Sequence, residues 1–440
     1  METTSKSQTL NLAIEHRRCL EQILQIHPTS AHWSCIPFKA CSVQFIASRL
    51  GRISTEYALW RSQHGRVLLG LGDGKRLAYP SLRDASDAAK GRTDVPPITF
   101  FGACFDADFP HSSKRWADWP KTELYEPTVI FDWRHESHQT PNVWVMVRER
   151  AQGHAVLARL LSQNHDETQP MPPPQWTPEE SYEDWQARLN RLQQVLETSP
   201  LTKVVMARAI RCSMRLTPNL TKKSLSSLLE RAGDAYAYAR RRPSGIFLGC
   251  TPETLVSLQD QHLTTHALAG TMMPGQNHQD FLTDEKIKRE HHIVVSDVIR
   301  KLEEFSPHVE TSAPQLKKAG TLTHLETKIA AKTKNIHLLD AIELLHPTPA
   351  LGGAPTADAL AWLRECEPLD RGWFGGPIGW FDRSGNGECG VAIRSALIDN
   401  REAAAFAGAG IVDGSDARAE WQETADKFSA ILSVIGGVSP

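Results

Sequence analysis

The chain has 440 residues, 40% hydrophobic and 23% charged, a size that allows two to three domains or one large enzyme domain. Its 49 Lys and Arg against 51 Asp and Glu leave a formal net charge of -2. That balance lacks the basic excess needed for bulk binding to nucleic acid or to an anionic membrane, so neither partner is expected. No apolar run approaches the roughly 18 to 20 residues that span a bilayer.

The opening METTSKSQTLNLAIEHRRCL carries no continuous apolar core of the signal-peptide kind. Cys19, Cys35, Cys41, Cys104, Cys212, Cys250, Cys366 and Cys389 are scattered and form no C-x-x-C pair. Neither a zinc knuckle nor a disulfide framework follows, and the expectation is a cytoplasmic protein with reduced thiols.

Over residues 1–168, short apolar runs (RVLLGLG, PPITFFGACF, PTVIFDW, NVWVMV) alternate with polar turns, and HAVLARLLSQ reads as a helix. This part predicts a sheet-rich support that lacks a cluster of catalytic residue types. QPMPPPQWTPEE, residues 169–180, reads as a Pro-rich linker, because three consecutive prolines suit neither a helix interior nor a central strand. Thr177, Pro178 and Glu180 have the form of a helix start: N-cap, first helical residue and capping-box partner. Trp185, Leu189, Leu192 and Leu196 then recur at helical spacing as one apolar stripe.

Residues 181–440 form the catalytic part of the reading. Strand-like runs (GIFLGC, TLVSL, GVAIRSALI, AAAFAGAGIV) alternate there with helical segments, the longest over residues 280–305 and 417–435. The mixture predicts an α+β protein.

Chemistry enters with LTKVVMARAI, residues 201–210. In a strand, Lys203 shares a face with Val205 and Ala207, a costly place for an ammonium group unless its tip reaches solvent at the strand end. Glu290 on one predicted helix, and Glu420 and Glu423 three apart on another with Lys427 beyond, offer oxygen donors without thiolates. Such a set favours a hard cation such as Mg²⁺, although the same spacing describes two solvated helix faces. His291 and His292 are adjacent and point to different faces, so neither is read as a metal ligand, and His291 suits a polar core role.

Glu253, in GCTPETLVSL, is a turn residue or, if partly buried, a carboxyl able to hold a proton and donate it. HALAGTMMPG, with Ala269, Gly270 and Thr271, and AFAGAGIVDGS, with Gly408 and Gly410, let main chain approach an anionic ligand. Neither has nucleotide-binding spacing. Arg394, placed within the strand GVAIRSALI, suits two-pronged binding of a carboxylate. Together these residues outline a pocket for a small dicarboxylate with a divalent ion.

In order along the chain, KVVMAR, GCTPETLV, ALAGT, REHHIVVSDV, HLETKI, LLHPTPALGG, RGWFGGPIGWFD, GNGECGVAIRSAL and AGAGIVDGSDARAEWQETADK resemble segments of the chorismate-binding enzymes. That family comprises isochorismate, salicylate, anthranilate and aminodeoxychorismate synthases. The matching segments run from residue 203 to 427, about half the chain, and FFGACFDADF resembles the family's less distinctive first half.

The resemblance implies a large chorismate-binding fold, with extended sheets and surrounding helices about a single active site. It further implies Lys203 as the base that activates water, since ammonia-using anthranilate synthases usually carry glutamine there. Ala269 stands where aminodeoxychorismate synthases often carry a substrate-capturing lysine. Glu253 would protonate the departing C4 hydroxyl, and Glu290 with Glu423, assisted by Glu420, would hold Mg²⁺ against the ring carboxylate. Arg394, Gly410 and Lys427 would bind substrate carboxylates, with His324 and Thr271 lining the pocket.

The implied activity is isochorismate synthase. The alternative is a salicylate synthase, which eliminates pyruvate after the same first step; an anthranilate or aminodeoxychorismate synthase component fits less well. The substrate would be chorismate, the chain a monomer without a glutaminase subunit, and the product destined for menaquinone, siderophore or salicylate synthesis. Three residues depart from the family pattern: Phe374 where tyrosine is common, Met272 and Met273 where arginine is common, and Thr323 where glutamine often stands.

Overall fold

The computed structural model describes residues 34–39, 42–51, 55–109, 113–134, 142–147, 150–161, 174–272, 277–319 and 322–437. The N-terminal stretch read for a signal peptide, the first half of the Pro-rich segment and Met273 lie outside the described residues.

Two large antiparallel sheets face one another. The first orders its strands as Ser34–Lys39, Asn142–Val147, Val129–Arg134, Val67–Leu71, Tyr57–Arg61, Tyr236–Arg242, Gly245–Thr251, Ser395–Asp399, Ala403–Val412, Lys203–Cys212 and Gly353–Ala354. The second runs Val309–Thr311, Leu322–Lys332, His262–Met272, Thr254–Gln259, Gly387–Val391, Pro377–Asp382, Ile98–Ala103, Thr122–Glu126 and Lys75–Tyr79. Both sheets take strands from either side of the Pro-rich segment.

Between the sheets lies an aromatic core that includes Trp60, Phe100, Trp116, Trp119, Phe247, Trp373 and Phe406. Helices cover the outer faces. Ala417–Ile435 and Pro218–Arg231 pack on the first sheet, while Tyr182–Thr198, Glu285–Leu302 and Leu338–Leu345 enclose a second apolar core that takes in Val204 and Met206. The expected α+β class, with extended sheets surrounded by helices, is what is found. Among the described residues no helix is long and apolar enough to cross a membrane.

Three local expectations are corrected. Thr177–Pro178 does not start a helix: it pairs with Ile210 and Arg211 as a short strand. Ser181 is the N-cap instead, its hydroxyl accepting from Asp184 N at 3.1 Å, and Glu180 turns back to an ion pair with Arg188. The stripe of Trp185, Leu189, Leu192 and Leu196 is buried as its spacing predicts.

The helix expected over 280–305 is two helices, His278–Thr283 and Glu285–Leu302. Asp284 breaks them with an extended ψ of 119°, and its carboxylate accepts from Ile287 N at 3.1 Å, as an N-cap does. Finally, GVAIRSALI is not one strand. It parts between Gly387–Val391 in the second sheet and Ser395–Asp399 in the first, leaving Arg394 in the gap with φ of +51°.

The Lys203 strand has one full partner, Ala403–Val412, and only two-residue partners on its other edge. Between those short partners the exposed ladder is closed largely by side chains. Arg371 Nη2 donates to Val205 O (2.6 Å), Ala207 N donates to Glu367 (2.9 Å), and Arg188 Nη2 donates to Ala207 O (3.1 Å). Val205 N finds Gly352 O at 2.9 Å.

Arg188, Glu367 and Arg371 are buried and joined in one ionic chain. Removing one charge from such a chain leaves its partners desolvated and uncompensated. Glu367→Gln is therefore expected to cost about 3 kcal/mol of unfolding free energy, read as a lower urea midpoint at unchanged slope. A loss below about 1 kcal/mol would show that the clamp does not hold the strand.

Candidate active site

One cavity, enclosing about 790 Å³ up to its open mouth, lies where the Lys203 strand and its Ala403–Val412 partner meet the helices that carry Glu290 and Glu423. Lys203, Val205 and Ala207 all line it, on the shared face that strand alternation predicts. Gly410 stands opposite Val205 and Gly408 opposite Ala207, so the neighbouring strand adds two positions without side chains to the same wall.

Lys203 does not reach solvent. It is 1% exposed, and its Nζ donates to Glu290 Oε1 at 2.9 Å. The role of Gly410 becomes visible here. A Cβ at Gly410 would stand 2.5 Å from Glu290 Oε1 and 3.0 Å from Lys203 Cε, so the bare backbone is what allows the pair to form. Glycine there makes room for two side chains.

Lys427 is the second ammonium on the wall. It donates to Glu423 Oε1 at 2.6 Å and to Gly408 O at 2.8 Å. Glu253 lies on the cavity in the turn before Thr254–Gln259, 6% exposed. Its backbone is pinned by Glu253 N to Thr251 Oγ1 (3.2 Å) and by Val391 N to Glu253 O (3.2 Å). Burial raises its carboxyl to about 7, against the opposing pull of Lys203, Lys427 and Arg394. At neutral pH it is poised to hold or release a proton.

Arg394 is buried, and desolvation lowers its guanidinium to about 10. Its Nη2 meets His324 Nε2 at 3.2 Å, and His324 Nδ1 meets the Gly270 carbonyl at 3.2 Å. Gly270 has a φ of +79° at an irregularity in the pairing of His262–Met272 with Leu322–Lys332. A Cβ on it would meet Ile287 at 2.8 Å. The Cα side is thus filled by Ile287, and the open approach to main chain expected of this segment is not found on that side. Ala269 and Gly270 line the cavity, and the Thr271 backbone pairs opposite His324.

Glu290 and Glu423 both face the cavity, while Glu420 is buried in its helix and is not among the lining residues. Among the described residues, no group of three or more His, Cys, Asp or Glu side chains stands close enough to hold a metal ion. The ammonium groups of Lys203 and Lys427 take up the charge of the two cavity carboxylates. The donor chemistry nevertheless fits a hard divalent cation, since only carboxylate oxygens are offered. His291 is apart from this set, buried with Nε2 at 2.8 Å from Thr327 Oγ1.

Arg371, Leu351 and Phe406 also line the cavity and were not singled out from the sequence; Phe374, noted there as a departure from the family pattern, lines it too. Glu367 and Arg371, opposite charges four residues apart, were the available signal of a pair. Phe374 stacks on Phe406 with ring centres 5.4 Å apart.

A family profile described as chorismate binding enzyme matches residues 80–436. The chain belongs to the chorismate-binding enzyme family. It is similar to isochorismate synthase MenF of Bacillus subtilis, at 32% identity over 78% of this chain and 75% of that protein. It also resembles the salicylate biosynthesis isochorismate synthase of Pseudomonas aeruginosa, at 37% identity over 58% of this chain but only 56% of that one. Among solved structures, the menaquinone-specific isochorismate synthase MenF of Escherichia coli superposes with a TM-score of 0.78 at 20% identity, covering 95% of this chain and 99% of that one. Anthranilate synthase component I of Streptococcus pneumoniae gives 0.66 at 18% identity, covering 93% of each chain. At these identities the superpositions establish a shared fold across chorismate-binding enzymes of different product.

Gly410→Ala tests the close pairing on the wall of this cavity. The added methyl must displace Glu290 or Lys203 while barely altering the core. Chorismate turnover is expected to fall by at least about tenfold, with a thermal midpoint within a few degrees of wild type. Unchanged turnover would mean that the spacing of the pair is immaterial.

Proposed function

We propose that this protein is an isochorismate synthase, converting chorismate to isochorismate. The observation that carries the reading is one cavity holding a desolvated lysine, Lys203, together with a carboxyl raised to about 7, Glu253. The sequence relatives are isochorismate synthases, which sets the product expected from such an acid and base.

In this reading Lys203 reacts as the uncharged amine, its proton lost to solvent beforehand, and takes a proton from water as the water oxygen bonds to C2 of the ring. The ring double bonds shift, the C4–O bond breaks, and Glu253 donates its proton so that the hydroxyl departs as water. Substrate and product are isomers, and water is consumed and regenerated. Each positioned proton transfer contributes on the order of two to four powers of ten in rate.

Arg394 and Lys427 bind substrate carboxylates, with the Ala269–Thr271 and Gly408–Gly410 main chain shaping the wall. Glu290 and Glu423, supported by Glu420, would hold Mg²⁺, which when bound would neutralise a ring carboxylate and take over charge that Lys203 and Lys427 now balance. The proposed enzyme acts alone as a cytoplasmic monomer, without a glutaminase subunit.

Purified protein given chorismate and Mg²⁺ is expected to yield isochorismate, without salicylate fluorescence or pyruvate. Lys203→Ala is expected to lower turnover by at least about a hundredfold. Appreciable salicylate with matching pyruvate would overturn the assignment in favour of a lyase, and ammonium-dependent anthranilate would point to the amine-using branch.

The pH dependence follows from Glu253. Its carboxyl is raised, so it carries the proton below about 7 and loses it as pH rises through that value. The kcat/KM profile is therefore expected to bend downward above about 7, approaching a tenfold loss per pH unit. A flat profile to pH 9 would remove Glu253 as the acid.

A further inference from the structure

Two buried arginines line the cavity, and their surroundings differ. Arg371 is committed to the protein, donating to Glu367, Val205 O and Leu351 O. Arg394 lies in the gap between two strands, and its Nη2 meets one ring nitrogen of His324.

Elementary hydrogen-bond chemistry assigns the tautomer. A guanidinium has only donors, so His324 Nε2 must present a lone pair to Arg394. In a neutral imidazole the proton is then on Nδ1, where the Gly270 carbonyl stands at 3.2 Å to accept it. An imidazolium would set an N–H against an N–H. Burial, together with the charges of Arg394 and Lys427, holds His324 well below the ordinary histidine range, in keeping with a neutral ring. The carbonyl is itself fixed, by a glycine-favouring φ of +79° and by Ile287 where a Cβ would be.

We infer that His324 is a positioning residue: as the Nδ1–H tautomer, braced by the Gly270 carbonyl, it orients the Arg394 guanidinium that receives a substrate carboxylate. This rests on the proposed chorismate chemistry only for the identity of that carboxylate. The reach of the relay, from a backbone irregularity through an imidazole to a guanidinium, is a property of the fold rather than of the ligand.

Two substitutions separate orientation from packing. His324→Gln can place an acceptor oxygen near the Nε2 position, whereas His324→Asn keeps a donor near Nδ1 and loses the acceptor for Arg394. His324→Gln is expected to keep KM for chorismate within about threefold of wild type, and His324→Asn to raise it about tenfold or more with a smaller change in kcat. Equal KM values for the two variants, whether raised or unchanged, would overturn the proposal.

Independently of turnover, nitrogen-15 NMR of the wild-type protein, with His324 assigned by its loss in His324→Gln, should show a protonated Nδ1 and a bare Nε2. The Nε2 resonance should shift in Arg394→Met. The opposite tautomer, or an imidazolium at pH 7, would overturn the inference. Wild-type protein that binds no chorismate would instead remove the functional reading, with the NMR result still deciding the His324–Arg394 pairing.

Discussion

An ammonium group that is 1% exposed can persist only beside a compensating charge, and Lys203 has one in Glu290 at 2.9 Å. The rest of the site is arranged around that requirement. The neighbouring strand must present glycine at position 410 so that lysine and glutamate can meet. The helix beginning at Glu285 must approach closely enough to deliver Glu290, and its break at Asp284 marks where that approach starts. The strand must also be stationary, yet along its outer edge it has only two short strand partners.

That edge is secured by Arg188, Glu367 and Arg371, which stand in for a missing strand. Charged side chains closing a ladder are costly to bury singly but stable as a mutually compensated chain. The chain runs from Glu180, the last residue of the Pro-rich segment, to Arg371 on the cavity wall. It links the end of that segment to the cavity wall.

The cavity balances its charges internally. Lys203 and Lys427 face Glu290 and Glu423, Glu253 is near half-protonation at neutral pH, and Arg394 leans on a neutral imidazole. In the proposed reaction, a polyanionic substrate entering with a divalent cation would exchange these internal pairs for contacts to itself.

Much of this was legible before any coordinates. The alternation of strand side chains placed Lys203, Val205 and Ala207 on one face, because that period is fixed by backbone geometry. The stripe at Trp185, Leu189, Leu192 and Leu196 marked a buried helix face, and the order of the motifs from KVVMAR to the final helix identified the family. What the sequence left open, tertiary contact decided. Thr177–Pro178 became a strand because a partner edge at Ile210 and Arg211 was available, an event hundreds of atoms away from any local propensity. Arg394 left its apparent strand because the chain changes sheets there, and only the meeting of the two sheets brings it to His324. Local sequence sets which face a side chain can take; whether that face meets solvent, a carboxylate or a carbonyl depends on segments remote in the chain.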